Sequence, residues 1–359
     1  IPCSANVEGN RMDGNMDKTY PMAFVTAPGR IELQERRLPE LRDTSVVVKV
    51  RAASICGSDL HIFRGRHPAS PLPVALGHEV SGEVVSVGKN VSRVKEGDRV
   101  AVEPVISCGK CDSCRRGEYN HCPDLSRPYR KGQGGFTPYL VVGEEWTHRL
   151  PLSVSFEEGA LVEPLSVAVH AIKAARIRLG HTAAIFGAGC IGLMLLSLAR
   201  LSGIGQTFVA DVNAFRLEKA KTMGATHAIN VSREEPVAFI HEATGRLGVD
   251  RAFEAVGLEA TLVNCMRVLK QGGAGILLGI CEDDEIRIPA NIIQSREITL
   301  VGSRGYCWDF QDALNLLEAG AVKLHELMTH VMPLSQLQNA FELLLNPASE
   351  AVKVIIRVN

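Results

Sequence analysis

The fold is decided by residues 181–211, which read HTAAIFGAGCIGLMLLSLARLSGIGQTFVAD. An apolar run with strand-forming residues leads into a glycine-rich turn, an apolar helical segment and a second apolar strand. The alternation of strands and helices then continues to about residue 280. Strand, helix and strand repeated at this spacing predict parallel βαβ units, so we expect an α/β domain with a parallel sheet.

The turn carries Gly187, Gly189 and Gly192 in the pattern G-x-G-x-x-G. It directly follows an apolar strand and opens a helix, which is the context that dinucleotide binding requires. The first glycine makes the turn, the second lets the backbone approach a pyrophosphate, and the third lets helix and strand pack closely. The free N–H groups of the helix N-terminus then face the phosphates. These residues predict a Rossmann nucleotide-binding domain.

Asp211 stands at the end of the next strand, about 20 residues beyond the glycines. A carboxylate there accepts hydrogen bonds from both ribose hydroxyls and repels a 2′-phosphate, which favours NAD over NADP. The alternative is an aspartate that caps the next helix. Arg216 is a candidate for contact with the adenine, and a solvated arginine on the helix surface is the alternative for that residue.

The rest of the chain is richer in strands. The runs SVVVKVRAA (45–53), HEVSGEVVSVG (78–88) and VKEGDRVAV (94–102) alternate valine with polar or small residues, as half-buried strands do. The final run, VKVIIRV, must pair with another strand, and we expect it to return to this first domain. The nucleotide domain is then an insertion. We predict a flexible tail at 1–17, a β-rich catalytic domain at 18–165 and 300–359, and the Rossmann domain at 166–299.

Composition excludes several classes of protein. The chain of 359 residues is 46% hydrophobic and 22% charged, with a formal net charge of −1. There is no broad positive charge for nucleic acid or an anionic membrane, and no apolar run of about 20 residues to span a bilayer. The first residues lack the apolar core of a secretory signal, so we expect a cytoplasmic protein without nucleic-acid or membrane partners.

Four of the ten cysteines crowd into one segment, at Cys108, Cys111, Cys114 and Cys122. Four thiolates at this spacing suit tetrahedral zinc, and a complete shell of cysteines leaves no position for a substrate. The spacing does not match the ferredoxin runs that hold iron–sulfur clusters. We therefore predict a structural zinc site.

A second metal site is predicted from three separate segments. Cys56 lies in ICGSDLH, His78 and Glu79 lie in LGHEVSG, and Glu163 lies in LVEPLSV. Each segment joins a reactive side chain to small neighbours at the end of a probable strand. A catalytic zinc needs three protein ligands and one open position, which a thiolate, an imidazole and a carboxylate supply.

These segments occur in the order seen in the zinc-containing medium-chain alcohol dehydrogenases, and the chain resembles that family from about Pro21 to its end. The segment EPLSVAVHA at 163–171 resembles the polyol branch, the sorbitol (L-iditol) 2-dehydrogenase type. The resemblance implies a β-rich GroES-like catalytic domain, a Rossmann domain, two zinc ions per subunit and NAD. It also implies a dimer or tetramer, and we expect a homotetramer.

The resemblance further assigns roles to individual residues. Cys56, His78 and Glu79 match the catalytic zinc ligands, while Glu163 matches a carboxylate that holds a water or substrate beside the metal or ligates it. The choice between the two carboxylates as zinc ligand stays open. Ser58 and His61 match the proton relay.

Cofactor and substrate contacts follow from the same resemblance. The predicted cofactor contacts beyond the glycines are Ile191, Asp211, Arg216, Leu278, Ile280 and Ser303. The predicted substrate contacts are Glu163, Arg304 and Tyr306. Here the sorbitol enzymes carry Phe-Arg-Tyr-Cys, whereas this chain reads SRGYC at 303–307, so the arginine is displaced. Ile62 also replaces the tyrosine that follows the relay histidine.

The predicted activity is the reversible, NAD-linked oxidation of a secondary alcohol in a polyol or sugar alcohol to a ketone. L-Threonine or another secondary alcohol is the alternative substrate. A zinc- and NAD-binding sensor or structural protein without turnover is the alternative from another class.

Overall fold

The computed structural model describes residues 19–67, 71–126, 132–283 and 285–358. The predicted tail at 1–17 lies outside these residues. The strands are β1 (Thr19–Ala27), β2 (Arg30–Arg37), β3 (Ser45–Ser54), β4 (Val74–Ala75), β5 (Glu79–Val87), β6 (Arg99–Val102), β7 (Tyr139–Gly143), β8 (Thr147–Arg149), β9 (Thr182–Phe186), β10 (Gln206–Asp211), β11 (His227–Asn230), β12 (Val249–Glu254), β13 (Leu269–Leu277), β14 (Thr299–Gly302), β15 (Met328–Pro333) and β16 (Lys353–Arg357). The α-helices are α1 (Gly57–Phe63), α2 (Asp112–Arg115), α3 (Phe156–Ala160), α4 (Val162–Ala174), α5 (Cys190–Leu201), α6 (Ala214–Thr222), α7 (Pro236–Ala243), α8 (Glu259–Val268), α9 (Ala290–Ser295), α10 (Asp309–Glu318) and α11 (Leu337–Leu345).

Six strands form the predicted parallel sheet, in the order β11-β10-β9-β12-β13-β14. Numbered from β9, this is the order 3-2-1-4-5-6 of a doubly wound nucleotide fold. The direction of winding reverses between β9 and β12, and ligands of such sheets bind beyond the carboxyl ends of the strands at that point. The sheet continues through β14 to Gly302, three residues past the predicted domain end at 299. The division of the chain into domains stays a prediction.

The remaining strands form a β-rich body. A larger sheet has the order β15-β16-β3-β5-β6-β8, with β7 also paired to β3, and a smaller sheet has the order β2-β1-β4. The terminal strand β16 pairs antiparallel with β3, where Ile355 lies opposite Ser54. It therefore returns to the first part of the chain, as the sequence predicted. This pairing brings the last residues of the chain next to the segment that carries Cys56.

Helices tie the two bodies together. Helix α4 packs against both α5 and α10, and its apolar side chains share one buried cluster with residues of the parallel sheet. A second cluster fills the β-rich body, and a third covers the other face of the parallel sheet. Among the described residues, no helix is both long and apolar enough to cross a bilayer.

Candidate active site

Two neighbouring strands deliver three of the predicted metal ligands. Cys56 follows the end of β3, and His78 and Glu79 stand at the start of β5. Because these strands are antiparallel, with Ser54 opposite Glu79, the end of one meets the start of the other. The Cys56 sulfur and one ligand atom each from His78 and Glu79 lie within 4.8 Å of one another.

Asp59, which the sequence analysis missed, supports this group from α1. Its carboxylate is 1% exposed, accepts a hydrogen bond from the Cys56 N–H at 3.0 Å and lies 3.5 Å from His78 Nδ1. Burial alone would raise the pKa of Asp59, but the charge of His78 and these hydrogen bonds lower it. A carboxylate on Nδ1 fixes the orientation of a ligating imidazole and directs Nε2 to the metal. The only sequence signal was its position three residues after Cys56.

Burial and charge act on His78 in opposite directions. Burial lowers its pKa, whereas the charges of Asp59 and Cys56 raise it, and the pKa ends well above the ordinary value. Zinc binds neutral imidazole and thiolate, so metal binding at this group releases protons.

Glu79 is fully buried and forms an ion pair with Lys353, a second residue that the sequence analysis missed. Lys353 Nζ donates to Glu79 Oε2 at 2.5 Å and to the Ile55 carbonyl at 2.8 Å. The Ser54 hydroxyl donates to the same carboxylate oxygen. The other oxygen, Oε1, is buried and has no hydrogen-bond partner among the described residues. A buried, unpaired carboxylate oxygen beside a thiol and an imidazole fits a divalent metal ion.

Glu163 lies in the first turn of α4 and is 5% exposed. It is not among the residues that meet within 4.8 Å. Its charge acts on Cys190, whose pKa is raised to about 12. Burial of the Cys190 thiol is the largest cause, and the charge of Lys353 opposes it. The negative charges of Glu79, Cys56 and Glu163 raise the pKa further. Glu163 therefore lies near the group, and the choice between the two carboxylates stays a prediction.

The four clustered cysteines form a second group, in which the sulfurs of Cys108, Cys111, Cys114 and Cys122 all lie within 4.8 Å of one another. Backbone N–H groups of Lys110 and Cys111 lower the pKa of Cys108 to about 6, which favours the thiolate. Four converging sulfurs fit the tetrahedral shell of a structural zinc.

The cysteine lobe, residues 108–122, packs on the segment after β14. Tyr119 of the lobe donates to Glu103 at 2.6 Å and accepts from the Trp308 N–H at 2.9 Å. The Trp308 indole donates to the Gly117 carbonyl at 2.8 Å. The lobe therefore fixes the segment that carries two of the predicted substrate contacts.

Those two residues sit in different surroundings. Tyr306 is completely buried beside Phe310, with ring centroids 6.0 Å apart, whereas the side chain of Arg304 is exposed. The Arg304 carbonyl accepts from the amide of Asn120 at 3.5 Å. Their roles in substrate binding stay predictions.

The predicted relay residues lie on α1. Ser58 and His61 are three residues apart, which puts them on one side of the helix, and both are partly buried. The helix starts directly after Cys56, so its first turn faces the metal ligands. This placement is compatible with a proton path from the metal site to the helix end.

The glycine turn has the properties that its motif predicts. Gly187 adopts a φ of +100°, and a Cβ on Gly192 would overlap the Gly187 carbonyl oxygen. A Cβ on Gly189 would meet no atom within 4 Å, so open space faces this residue where a pyrophosphate would approach. Asp211 accepts from the Ala188 N–H at 2.6 Å and is thereby held against the turn. These residues fit a dinucleotide.

The other predicted cofactor contacts lie at the carboxyl edge of the same sheet. Ile191 is in the first turn of α5, Leu278 and Ile280 follow β13, and the Ser303 N–H donates to the Leu277 carbonyl at 2.9 Å. Arg216 instead donates to the Ala351 carbonyl, at 3.3 and 3.2 Å. The structure therefore engages Arg216 with the C-terminal segment.

Comparison with known proteins agrees with both bodies of the fold. Residues 42–152 match the model of the alcohol dehydrogenase GroES-like domain, and residues 190–319 match that of the zinc-binding dehydrogenase. The first match contains both metal groups, and the second covers the nucleotide fold from α5 onward. The predicted fold class is thus confirmed.

Individual relatives cover nearly the whole chain. Sorbitol dehydrogenase of Bacillus subtilis is 36% identical over 335 residues, spanning 92% of this chain and 94% of its own. D-Xylulose reductase of Saccharomyces cerevisiae is 36% identical over 352 residues, spanning 94% and 98%. A protein of Sinorhizobium meliloti 1021, solved with NADP bound, superposes with a TM-score of 0.88 at 31% identity, covering 94% and 99%. By site, fold and sequence, the chain belongs to the zinc-containing medium-chain alcohol dehydrogenases.

Proposed function

We propose that this protein uses zinc and NAD to oxidise a secondary hydroxyl of a polyol to a ketone, reversibly. The observation that carries the proposal is the meeting of Cys56, His78 and Glu79, of which Cys56 and Glu79 act electrostatically on Cys190 of the glycine turn. A metal site and a dinucleotide site thereby adjoin, as hydride transfer between an alcohol and a nicotinamide requires.

The donor sets fit two zinc ions per subunit. Cys56, His78 and one carboxylate, from Glu79 or Glu163, would hold the catalytic ion, and Asp59 would orient the imidazole. The four cysteines of the lobe would hold the structural ion. When bound, zinc supplies Lewis-acid polarisation of a hydroxyl oxygen, and NAD supplies the hydride acceptor.

The chain itself moves the proton. Ser58 would take the proton of the substrate hydroxyl while releasing its own, and His61, three residues further along α1, would carry the released proton towards solvent. Histidine suits this step because its ordinary pKa lies near neutral pH. The glycine turn and the start of α5 bind the pyrophosphate, which aligns the cofactor with the metal site.

NAD is the proposed cofactor because Asp211 presents a carboxylate at the ribose position and repels a 2′-phosphate. Both Asp211 oxygens accept backbone N–H groups, from Ala188 and Asn213, which hold the carboxylate at the end of β10. Titration of the protein with NADH and NADPH tests the choice, and tighter binding of NADPH would contradict it.

The polyol substrate is supported by the names of the relatives, which include sorbitol dehydrogenase and D-xylulose reductase. The segment at 303–307 differs from the sorbitol-enzyme pattern, so we propose a polyol class without naming one sugar alcohol. A panel of polyols, 2,3-butanediol and L-threonine with each cofactor, monitored by NADH formation, tests the class. Exclusive turnover of threonine would refute it.

His78→Ala tests the metal assignment. The variant should lose the catalytic zinc and polyol oxidation while retaining NADH binding, because the glycine turn is untouched. His121→Ala is the matched control, since His121 is 62% exposed on the cysteine lobe and binds no predicted metal. Turnover by purified His78→Ala would show that the assignment is wrong.

We also propose assembly and location. Strand β14 is an edge of the parallel sheet, and two copies could pair there across a two-fold axis to form a dimer, two of which make the expected homotetramer. The five predicted zinc-ligand cysteines and Cys190 carry six thiols that must stay reduced. A reducing compartment keeps them so, which supports a cytoplasmic location. Sedimentation analysis tests the assembly, and a monomer would refute it.

A further inference from the structure

One carboxylate from the nucleotide-binding part, Glu282, meets three basic side chains of the β-rich part. Glu282 follows β13, whereas His61, Arg64 and Arg66 lie on and directly after α1. Glu282 Oε2 accepts from Arg66 Nη1 at 2.8 Å, and Oε1 lies 3.7 Å from Arg64 Nη1 and 3.5 Å from His61 Nδ1. The carboxylate therefore joins the two parts of the chain beside the predicted relay histidine.

The imidazole of His61 is turned towards this carboxylate. Its side chain is 20% exposed, and Nδ1 is buried with no hydrogen-bond partner among the described residues. The hydrogen bond and charge of Arg66, with the charges of His61 and Arg64, lower the pKa of Glu282. An ionised carboxylate thus faces a ring nitrogen that has no other hydrogen-bond partner in the described part of the chain.

A carboxylate at Nδ1 determines which nitrogen carries the proton in neutral histidine. It favours the tautomer with Nδ1–H directed at the carboxylate, which leaves the Nε2 lone pair free to take a proton. The distance of 3.5 Å is longer than a good hydrogen bond, and such contacts tighten when substrate and cofactor bind.

We propose that Glu282 is the positioning residue for His61: it holds the Nδ1–H tautomer and points Nε2 along the proton path. This inference rests on the proposed function, in which His61 accepts the proton. Glu282 also lies two residues beyond Ile280, a predicted cofactor contact. The part of the chain that binds the cofactor therefore supplies the group that orients the relay in the other part.

A simpler role for Glu282 is an ion pair with the two arginines alone. Arg66 and Arg64 are 62% and 44% exposed, and pairs at such exposed sites contribute little. Arg66→Gln removes the nearest of these partners and leaves Glu282 and His61 in place. Asp283→Asn removes a negative charge from the same loop, and no ion pair of Asp283 exists among the described residues. These two variants are the matched controls.

Steady-state kinetics of the zinc-loaded enzyme with NAD and the best polyol test the role. Glu282→Ala should lower kcat/KM for the polyol about tenfold, because a misoriented base transfers the proton poorly. Both controls should stay within about twofold of wild type. In the His61→Asn background, Glu282→Ala should change kcat/KM by less than about twofold, because its effect passes through the imidazole. An equal loss in both backgrounds would overturn the proposal.

A spectroscopic readout does not depend on turnover. In the zinc-loaded protein labelled with 15N-histidine, the His61 signal, identified by its loss in His61→Asn, should show the Nδ1–H tautomer. In Glu282→Ala the Nδ1–H tautomer should no longer predominate over the Nε2–H tautomer. In Arg66→Gln the Nδ1–H tautomer should still predominate. Glu282→Gln provides the same comparison with the side-chain shape kept, should the alanine variant melt early. Unchanged tautomers in both Glu282 variants would refute the inference, whereas a wild type without polyol activity would refute only the proposed function.

Discussion

Replacing Lys353 by methionine should lower the free energy of unfolding, because it removes the cation of the buried ion pair at the metal site. Lys353 is 3% exposed and Glu79 is fully buried. Burial lowers the pKa of Lys353, but the charges of Glu79, Cys190 and Cys56 outweigh it and raise the pKa. Its stabilising contribution is therefore fully present below about pH 10 and is lost as pH rises through the raised value, so neutral pH shows the whole effect.

The magnitude follows from what the substitution leaves behind. Methionine keeps the apolar stem of Lys353 but removes the ammonium, so the Glu79 carboxylate stays buried with the Ser54 hydroxyl as its one remaining donor among the described residues. Breaking a buried pair by removing one partner costs about 3–5 kcal/mol. If the free Glu79 oxygen ligates zinc, the metal compensates part of this charge, and the loss is smaller in the zinc-loaded protein than after chelation.

Guanidinium unfolding followed by tryptophan fluorescence measures the loss, with and without zinc. Lys219→Met is the control, because Lys219 is half-buried, forms no ion pair among the described residues and donates to a backbone carbonyl, that of Glu326 at 2.8 Å. Glu79→Gln combined with Lys353→Met should recover a large part of the stability, since the unpaired charge is then gone. A Lys353→Met protein within about 1 kcal/mol of wild type would refute the reasoning.

Three further predictions concern other parts of the chain. Cys111→Ser should remove one of the two predicted zinc ions per subunit and change the emission of Trp308, which packs on the cysteine lobe, while NADH binding persists. Asp309→Asn should cost about 2 kcal/mol and lower the melting temperature, because this buried carboxylate, 2.7 Å from a His170 nitrogen, loses its charge. Gly189→Ala should fold but bind NADH weakly, whereas Gly192→Ala should fail to fold, because only the second added Cβ overlaps the backbone.

Each of these predictions has a contradicting result. Retention of both zinc ions by Cys111→Ser would show that the Cys111 sulfur is not a zinc ligand. Burial would raise the pKa of Asp309, but the hydrogen bonds of His170 and Lys173 lower it, so its contribution is lost only as pH falls below about 4. An equal melting temperature at neutral pH would contradict the role of Asp309. Equal NADH affinity in Gly189→Ala and wild type would contradict the open approach at that glycine.

Most of the fold was predictable because its signals are local. The nucleotide sheet follows from apolar strands and a glycine turn at fixed spacing, and the return of β16 follows from a β-branched run that needs a partner. Helix α7 carries local N-terminal signals, because Glu235 accepts from the Ala238 N–H and proline stands at its first position. The strand β15 has no comparable local signal, because its mostly half-buried residues show no clear alternation.

The metal group was predictable only in part, because its support is non-local. Cys56, His78 and Glu79 sit in short segments that a family pattern exposes. Lys353, however, meets Glu79 only because β16, β3 and β5 lie side by side. The residues around Lys353 do not predict that strand order. Glu282 similarly lies in an acidic run that looks like an ordinary solvated loop. Sequence patterns identify the groups that react, whereas the partners that hold them depend on the register of distant strands.

The charges of the metal group act on Cys190, so the predicted metal and dinucleotide sites are coupled electrostatically. Cys190 is the first residue of α5, and the charges of Cys56, Glu79 and Glu163 act on its thiol at the positive end of that helix dipole. The same backbone end that would bind the pyrophosphate therefore also stabilises the negative charge of the metal ligands. Loss of zinc should leave those charges facing the cofactor phosphates across a short distance. NADH should accordingly still bind at the intact glycine turn when zinc is chelated, but with lower affinity, as measured by fluorescence titration, and an affinity independent of zinc would contradict this coupling.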